Sequence, residues 1–265
     1  MQERESLASQ IATAPVWVMP EPAQTIFLVF AASLALAVLI YGLVLARQYN
    51  SIMPVLLPLA GFCAIPLETI VTYLGHATHA TVGNIALFRA VDRTIPWYIA
   101  FGYMAGFGLL YLLLYKQTMD RTLTRKFIWS AGFVAAGCYY LAEIAGVSTG
   151  LWGYFEPQPI WIWKMTAPPT WSFLNATCEL FGGCLIMFLL PELRGIKQAL
   201  VLVLAPMGAF MGHLGAGFPF YNAINADVSP LVMNLSALFS IGLCLVAWWI
   251  ASILATIRLD QVKAA

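Results

Sequence analysis

Charge is what this sequence has least of. Of its 265 residues only 9% are Asp, Glu, Lys or Arg, against roughly 25% in soluble domains. The net charge of +1 leaves no basic face to neutralise phosphates, which excludes a nucleic-acid partner. Cysteine is scarce and odd in number: Cys63, Cys138, Cys178, Cys184 and Cys244 all fall in apolar stretches without CxxC or Cys/His spacing. They read as small packing residues rather than disulfides or zinc ligands. The start, "MQERESLASQ", lacks the basic-then-apolar order of a cleavable signal, so the first hydrophobic run is expected to be retained. There is no P-loop, nucleophile elbow or dinucleotide fingerprint, and "GYMAGFG" falls inside an apolar run where small residues serve helix packing. The last such run, 230–256, contains no Lys, which removes a retinal Schiff base.

What is present is oil. Hydrophobic residues make up 61% of the chain, and a transmembrane helix needs about 20 of them in a row. Seven segments approach that, near 24–46, 52–74, 95–115, 127–147, 168–190, 197–214 and 230–256. The expected fold is therefore an all-α polytopic membrane protein: an extracytoplasmic segment 1–23, a seven-helix domain 24–258 and a cytoplasmic tail 259–265. Arg47, Lys116, Arg121, Arg125, Lys126, Arg194, Lys197, Arg258 and Lys263 fall in loops of one side, and only Arg89, Arg93 and Lys164 mainly on the other. The positive-inside rule then puts the N-terminus outside and the C-terminus in the cytoplasm. The expected location is a cell membrane of the bacterial inner-membrane type.

Helices two, four and six each end in a polar residue (Glu68, Glu143, His213), followed by a Gly-containing outer loop and a helix opening with Pro. That three-fold echo suggests a repeat, although Pro is an ordinary helix-start signal in any seven-helix chain.

A carboxylate in hydrocarbon costs roughly 2.5–3.5 kcal/mol on insertion scales, so such residues face a cavity or a partner. Glu68, Glu143 and Glu179 are the three, with Asp92 as a second-tier acid that doubles as an N-cap candidate before helix three. Trp171, Asn175 and Glu179 stand four apart on one helical face, and Asn234 is expected at comparable depth in the last helix. His76, His79 and His213 map to the outer ends of helices two and six. With Glu68 or Asp92 they are the only candidates for a divalent metal, but "HATH" lacks the Glu of HExxH, and the expectation is no metal and no cofactor. Trp97, Trp152, Tyr154 and Trp171 belong to a dense aromatic group that reads partly as an interfacial belt and partly as lining for an apolar pocket.

"EIAGVSTGLWGYFEPQP", with "APPTW" after it, resembles the Glu-(Ile/Leu)-x-Gly-Val-x-Thr-Gly run and aromatic turn of integral-membrane carotenoid-biosynthesis proteins, including hydratases of isoprenoid double bonds. The match carries over Glu143, Gly146, Thr149, Gly150 and Tyr154. In outline the chain also resembles the small seven-helix membrane terpene cyclases, with Glu68 as acid, although the Pro-x-Glu-Glu of membrane lycopene cyclases is replaced by "PLET". The resemblance implies a lipophilic, isoprenoid substrate entering from membrane lipid. On it rests the leading expectation, a lyase or isomerase that hydrates, cyclises or isomerises an alkene by carboxylate acid/base chemistry, with Glu68, Glu143, Asp92 and Glu179 as catalytic groups. Trp97, Trp152, Tyr154, Trp171, Asn175, Asn234 and His213 would hold the substrate. The alternative is a proton-coupled small-molecule transporter or ligand-binding membrane protein, which helix breaks at Pro54, Pro58, Pro66 or Pro206 would favour.

Overall fold

Residues 13–161 and 167–264 are described by the structure, a computed structural model, with side chains described as far as Ile257. Lys164, Arg258 and Lys263, which entered the charge comparison, fall outside the described side chains, as do residues 1–12. Helix α1 spans Glu21–Tyr49, α2 Met53–Cys63, α3 Pro66–Leu74, α4 Trp97–Met119, α5 Arg125–Ser148, α6 Pro169–Leu189, α7 Val201–Ile224 and α8 Pro230–Ala264. With α2 and α3 forming one interrupted span, seven helical segments are long and apolar enough to cross a membrane. The protein is an all-α polytopic membrane protein.

Helix starts follow local chemistry. Pro lies in the first turn of α1, α2, α3 and α6, where its missing N–H removes no helical bond. Helix α5 is capped by Thr124, whose hydroxyl accepts from the Phe127 N–H at 3.1 Å. At its other end the Leu151 N–H reaches the Gly146 carbonyl and the Gly150 N–H the Val147 carbonyl, with Gly150 at φ +75°. That is a Schellman ending, and it explains Gly150 by backbone geometry.

Helix α6 is the hub, packed against α4, α5, α7 and α8, with residues such as Leu174, Leu180, Cys184 and Ile186 fully buried. By contrast α1, α5 and α8 turn Val29, Phe30, Val134, Leu141, Leu238 and Phe239 outward, the face that hydrocarbon covers in a membrane. Cys63 and Cys138 are on such outer surfaces, the other three cysteines are buried, and all five are free.

Two features depart from the sequence reading. The sixth span does not stop near 214: α7 runs to Ile224 straight through Pro219. Membrane helices tolerate Gly and Pro because neighbouring helices re-satisfy the freed backbone, so "GAGFP" is helix, not loop. His213 accordingly lies inside α7, 1% exposed, and not at an outer helix end. The three-fold echo fails with it, since the third copy has no equivalent outer loop.

The second departure is the break in span two. Between Cys63 and Pro66 the backbone closes through tight three-residue bonds, Ala64 N–H to Gly61, Leu67 N–H to Ala64 and Glu68 N–H to Ile65. Pro66 cannot donate, and the chain restarts there as a separate half-helix.

Loops at one end form a cap. Strand β1 (Ala77–His79) pairs antiparallel with β4 (Trp152–Tyr154), and β2 (Ala86–Ala90) with β3 (Arg93–Pro96). Segment 13–20 lies over them: Trp17 donates its indole N–H to the Gly150 carbonyl at 2.8 Å, and Met19 N–H bonds Val82 at 2.8 Å. At the opposite end the loops are short, and a cleft of about 550 Å³ opens between Arg47, Asn50, Ser51 and Gln198.

Candidate functional site

The β1–β4 pairing builds the first part of the site. Side chains two apart share a face of a strand, and the register sets His79 against Trp152 and Ala77 against Tyr154. One face of a two-stranded ribbon therefore delivers His79, Trp152 and Tyr154 to the helix ends below. His79 Nε2 meets Glu68 Oε1 at 3.1 Å, while Trp152 Nε1–H and Tyr154 O–H both donate to Glu143 Oε2, at 2.7 and 2.9 Å. The indole of Trp152 rests on the bare Cα of Gly146, where a Cβ would collide with the ring. It also meets the His79 ring edge-on at 5.9 Å and stacks on Tyr98 at 6.2 Å.

Glu68 sits in the first turn of half-helix α3, its side chain 15% exposed. Its second oxygen accepts from the Tyr103 hydroxyl of α4 at 2.9 Å. Deeper in the bundle, Glu179 of α6 is 3% exposed and accepts from the Tyr139 hydroxyl of α5 at 2.5 Å. Its carboxyl lies against Gly106 of α4, where an added Cβ would stand 2.6 Å from Oε1. The direct bonds form three groups: Glu143 with Trp152 and Tyr154, Glu68 with His79 and Tyr103, and Glu179 with Tyr139. Burial lifts the Tyr154 phenol well above its ordinary range, and the charges of Glu143 and Glu68 add to it, so Tyr154 remains a donor. Glu68 and Glu143 are neighbours through the ribbon, whereas Glu179 bonds Tyr139 deeper in the bundle.

Several buried polar atoms lack a partner among the described residues. Trp171 Nε1, His213 Nδ1, Thr69 Oγ1 and Gln158 Oε1 are among them. Trp171 packs on bare Gly75, meets Tyr154 at 5.4 Å and His213 at 6.3 Å, and Gln158 donates to the Gly75 carbonyl at 3.0 Å. Buried polar groups almost always find partners, which makes these atoms candidates for bonding a ligand.

Other expected site residues are elsewhere. Asp92 is not an N-cap, since α4 is preceded by Pro96. It stands at the tip of the β2–β3 hairpin, where Val91 and Asp92 both have positive φ, as a type I′ turn requires, and its side chain is 72% exposed. Asn234 accepts from the Ile160 N–H at 2.7 Å and ties a cap loop to α8. Asn175 is half-buried without a side-chain partner among the described residues, and Trp97 opens α4 against Phe101 at 5.7 Å. The histidines do not assemble: His76 bonds Asn225 at 3.0 Å, His213 bonds Tyr221 at 2.6 Å and His79 serves Glu68. Among the described residues no three His, Cys, Asp or Glu come together as a metal set. Burial lowers the His76 pKa, the Asn225 bond and Glu156 opposing it. Tyr103 and Tyr139, which hold two of the three carboxyls, escaped the sequence reading of the site because pairing between different helices leaves no spacing to read.

No family model matches the chain, and no solved structure does. Over 162 residues, 60% of the chain, it is 31% identical to the probable anion transporter 4, chloroplastic, of Arabidopsis thaliana. The chain spans about a quarter of that relative, the match covering 26% of it. This similarity overturns the expectation of an alkene hydratase, cyclase or isomerase: the protein it resembles is named for moving anions, and the transporter alternative takes precedence.

Proposed function

We propose that the protein is a proton-coupled transporter of small anions. The carrying observation is three largely buried carboxyls, Glu143 and Glu68 under the cap and Glu179 deeper in the bundle, each held by phenol, indole or imidazole groups. Buried intramembrane carboxyls held by polar partners are the usual material of proton relays. Two further features support the reading: the similarity to an anion transporter over 162 residues, and the break in span two, which leaves Glu68 at the start of a half-helix. Discontinuous helices with polar groups at the break are common at transporter binding sites.

Proton coupling follows from charge. An anion about 4 Å from an ionised carboxylate is opposed by about 4 kcal/mol at an effective dielectric near 20, roughly a thousandfold in occupancy. Protonating Glu68 or Glu143 removes that opposition, so proton and anion enter together. The purified protein in proteoliposomes, offered labelled inorganic phosphate or succinate, is expected to accumulate anion under an inward proton gradient and to stop when an uncoupler is added. Glu68→Gln keeps an acceptor for Tyr103 and is expected to remain folded, yet to lose at least tenfold of the gradient-driven uptake. Accumulation that ignores the gradient, or none of either anion, would overturn the proposal.

A further inference from the structure

Arg93 is the one buried cation among the described residues. Its side chain is 2% exposed, whereas Arg47, Arg89, Arg121, Arg125, Arg194 and Lys197 are exposed. A buried charge costs several kcal/mol unless paired and fully hydrogen-bonded, and Arg93 has one long ion pair and is not fully hydrogen-bonded. One of its terminal nitrogens donates to the Asp92 carbonyl at 3.1 Å, a neutral acceptor. The Asp92 carboxylate stands 3.8 Å away, outside hydrogen-bond range and screened by solvent. Nε has no acceptor at all. The rings of Tyr73 and Phe155 approach the guanidinium to 5.3 and 5.4 Å. Such faces attract a cation but accept no in-plane N–H bond.

The surroundings put this deficit in the cap, beside the half-helix that carries Glu68. Tyr73 is in the last turn of α3, the half-helix whose first turn carries Glu68, and β3 packs against both α3 and β1. We propose that Arg93 is the anion-recognition residue of the cap, taking a carboxylate or phosphate oxygen on its unpartnered Nε–H. The ligand class is a small oxyanion, for which a guanidinium is the matching donor. This inference rests on the transport reading for its role, but not for the binding site itself.

Titration calorimetry of the full chain in detergent, with inorganic phosphate and separately with succinate, tests it. The intact protein is expected to bind at least one of the two. Arg93→Gln is expected to lose about tenfold or more in affinity, as removal of a charge-assisted hydrogen bond does, and Arg93→Lys to fall between, since it keeps the charge without the planar fork. Should Arg93→Gln fail to fold, Asp92→Asn decides: Asn suits the positive-φ turn, removes the competing carboxylate and is expected to tighten binding at least twofold. No binding of either anion by the intact protein, equal binding by folded Arg93→Gln, or unchanged affinity in Asp92→Asn overturns the inference. Uptake separates the two ideas. Gradient-driven uptake that survives Arg93→Gln leaves transport standing and removes Arg93, whereas Arg93-dependent binding without uptake keeps the site and removes transport.

Discussion

Trp152 carries two duties that one substitution separates. Its indole ring fills the space over Gly146 and stacks with Tyr98, while its N–H donates to Glu143. Trp152→Phe keeps most of the ring and deletes the donor, leaving Glu143 with Tyr154 alone. The expected cost in stability is about 0.5–1.5 kcal/mol, read as a small fall in thermal midpoint, with a shift in the pH dependence of uptake because one bond to the carboxylate is gone. Midpoint and pH profile both unchanged would show that Trp152 only packs. At this scale the sequence was partly legible. Glu143, Trp152 and Tyr154 are neighbours in the quoted run, and a carboxyl in an apolar helix announces that it needs a partner. That Glu179 takes Tyr139 from α5, only four residues before Glu143, was not legible, since the pairing depends on how two helices are rotated about their axes.

The elements that place these residues are half-helix α3 and the β1–β4 ribbon. The three-residue bonds at Ala64–Glu68 arise because Pro66 cannot join a continuous ladder. Pro66→Ala restores the donor, and the second span is expected to gain helical continuity and thermal stability. Gradient-driven uptake is expected to fall severalfold, because Glu68 is rotated away from Tyr103 and His79. A variant that transports as before, with the midpoint raised, would show that the break is incidental. Span boundaries were readable where punctuation meant what it means in water, as at Pro169 and Pro230. They were misread at Gly215, Gly217 and Pro219, because those residues end helices in water but are tolerated between packed membrane helices. The ribbon itself was illegible: strands of three residues carry no periodicity.

Across the whole molecule, the cap and the short-loop end differ in charge. Arg47, Lys116, Arg121, Arg125, Lys126, Arg194 and Lys197 gather at the short-loop end, so the cap is expected to face outward. In a background with its five cysteines replaced by Ser, Asp92→Cys is expected to react with an impermeant thiol reagent on intact cells, and Arg121→Cys only after permeabilisation. The reverse pattern would invert the assignment. Composition alone made the membrane class readable, because seven long apolar runs admit no soluble alternative. The functional expectation went astray because buried carboxyls and aromatics suit alkene chemistry and proton carriage alike.

Below Glu179 the interior changes character: Leu112, Leu114, Cys184, Ile186 and Val201 are fully enclosed. There α6 and α7 approach so closely that a methyl group on Gly208 would stand 2.7 Å from the Gly182 Cα. Where two glycines meet there is no side chain to yield, so α6 and α7 can separate there only as backbones. On the transport reading, passage past this point is expected to need the parting of two helix backbones.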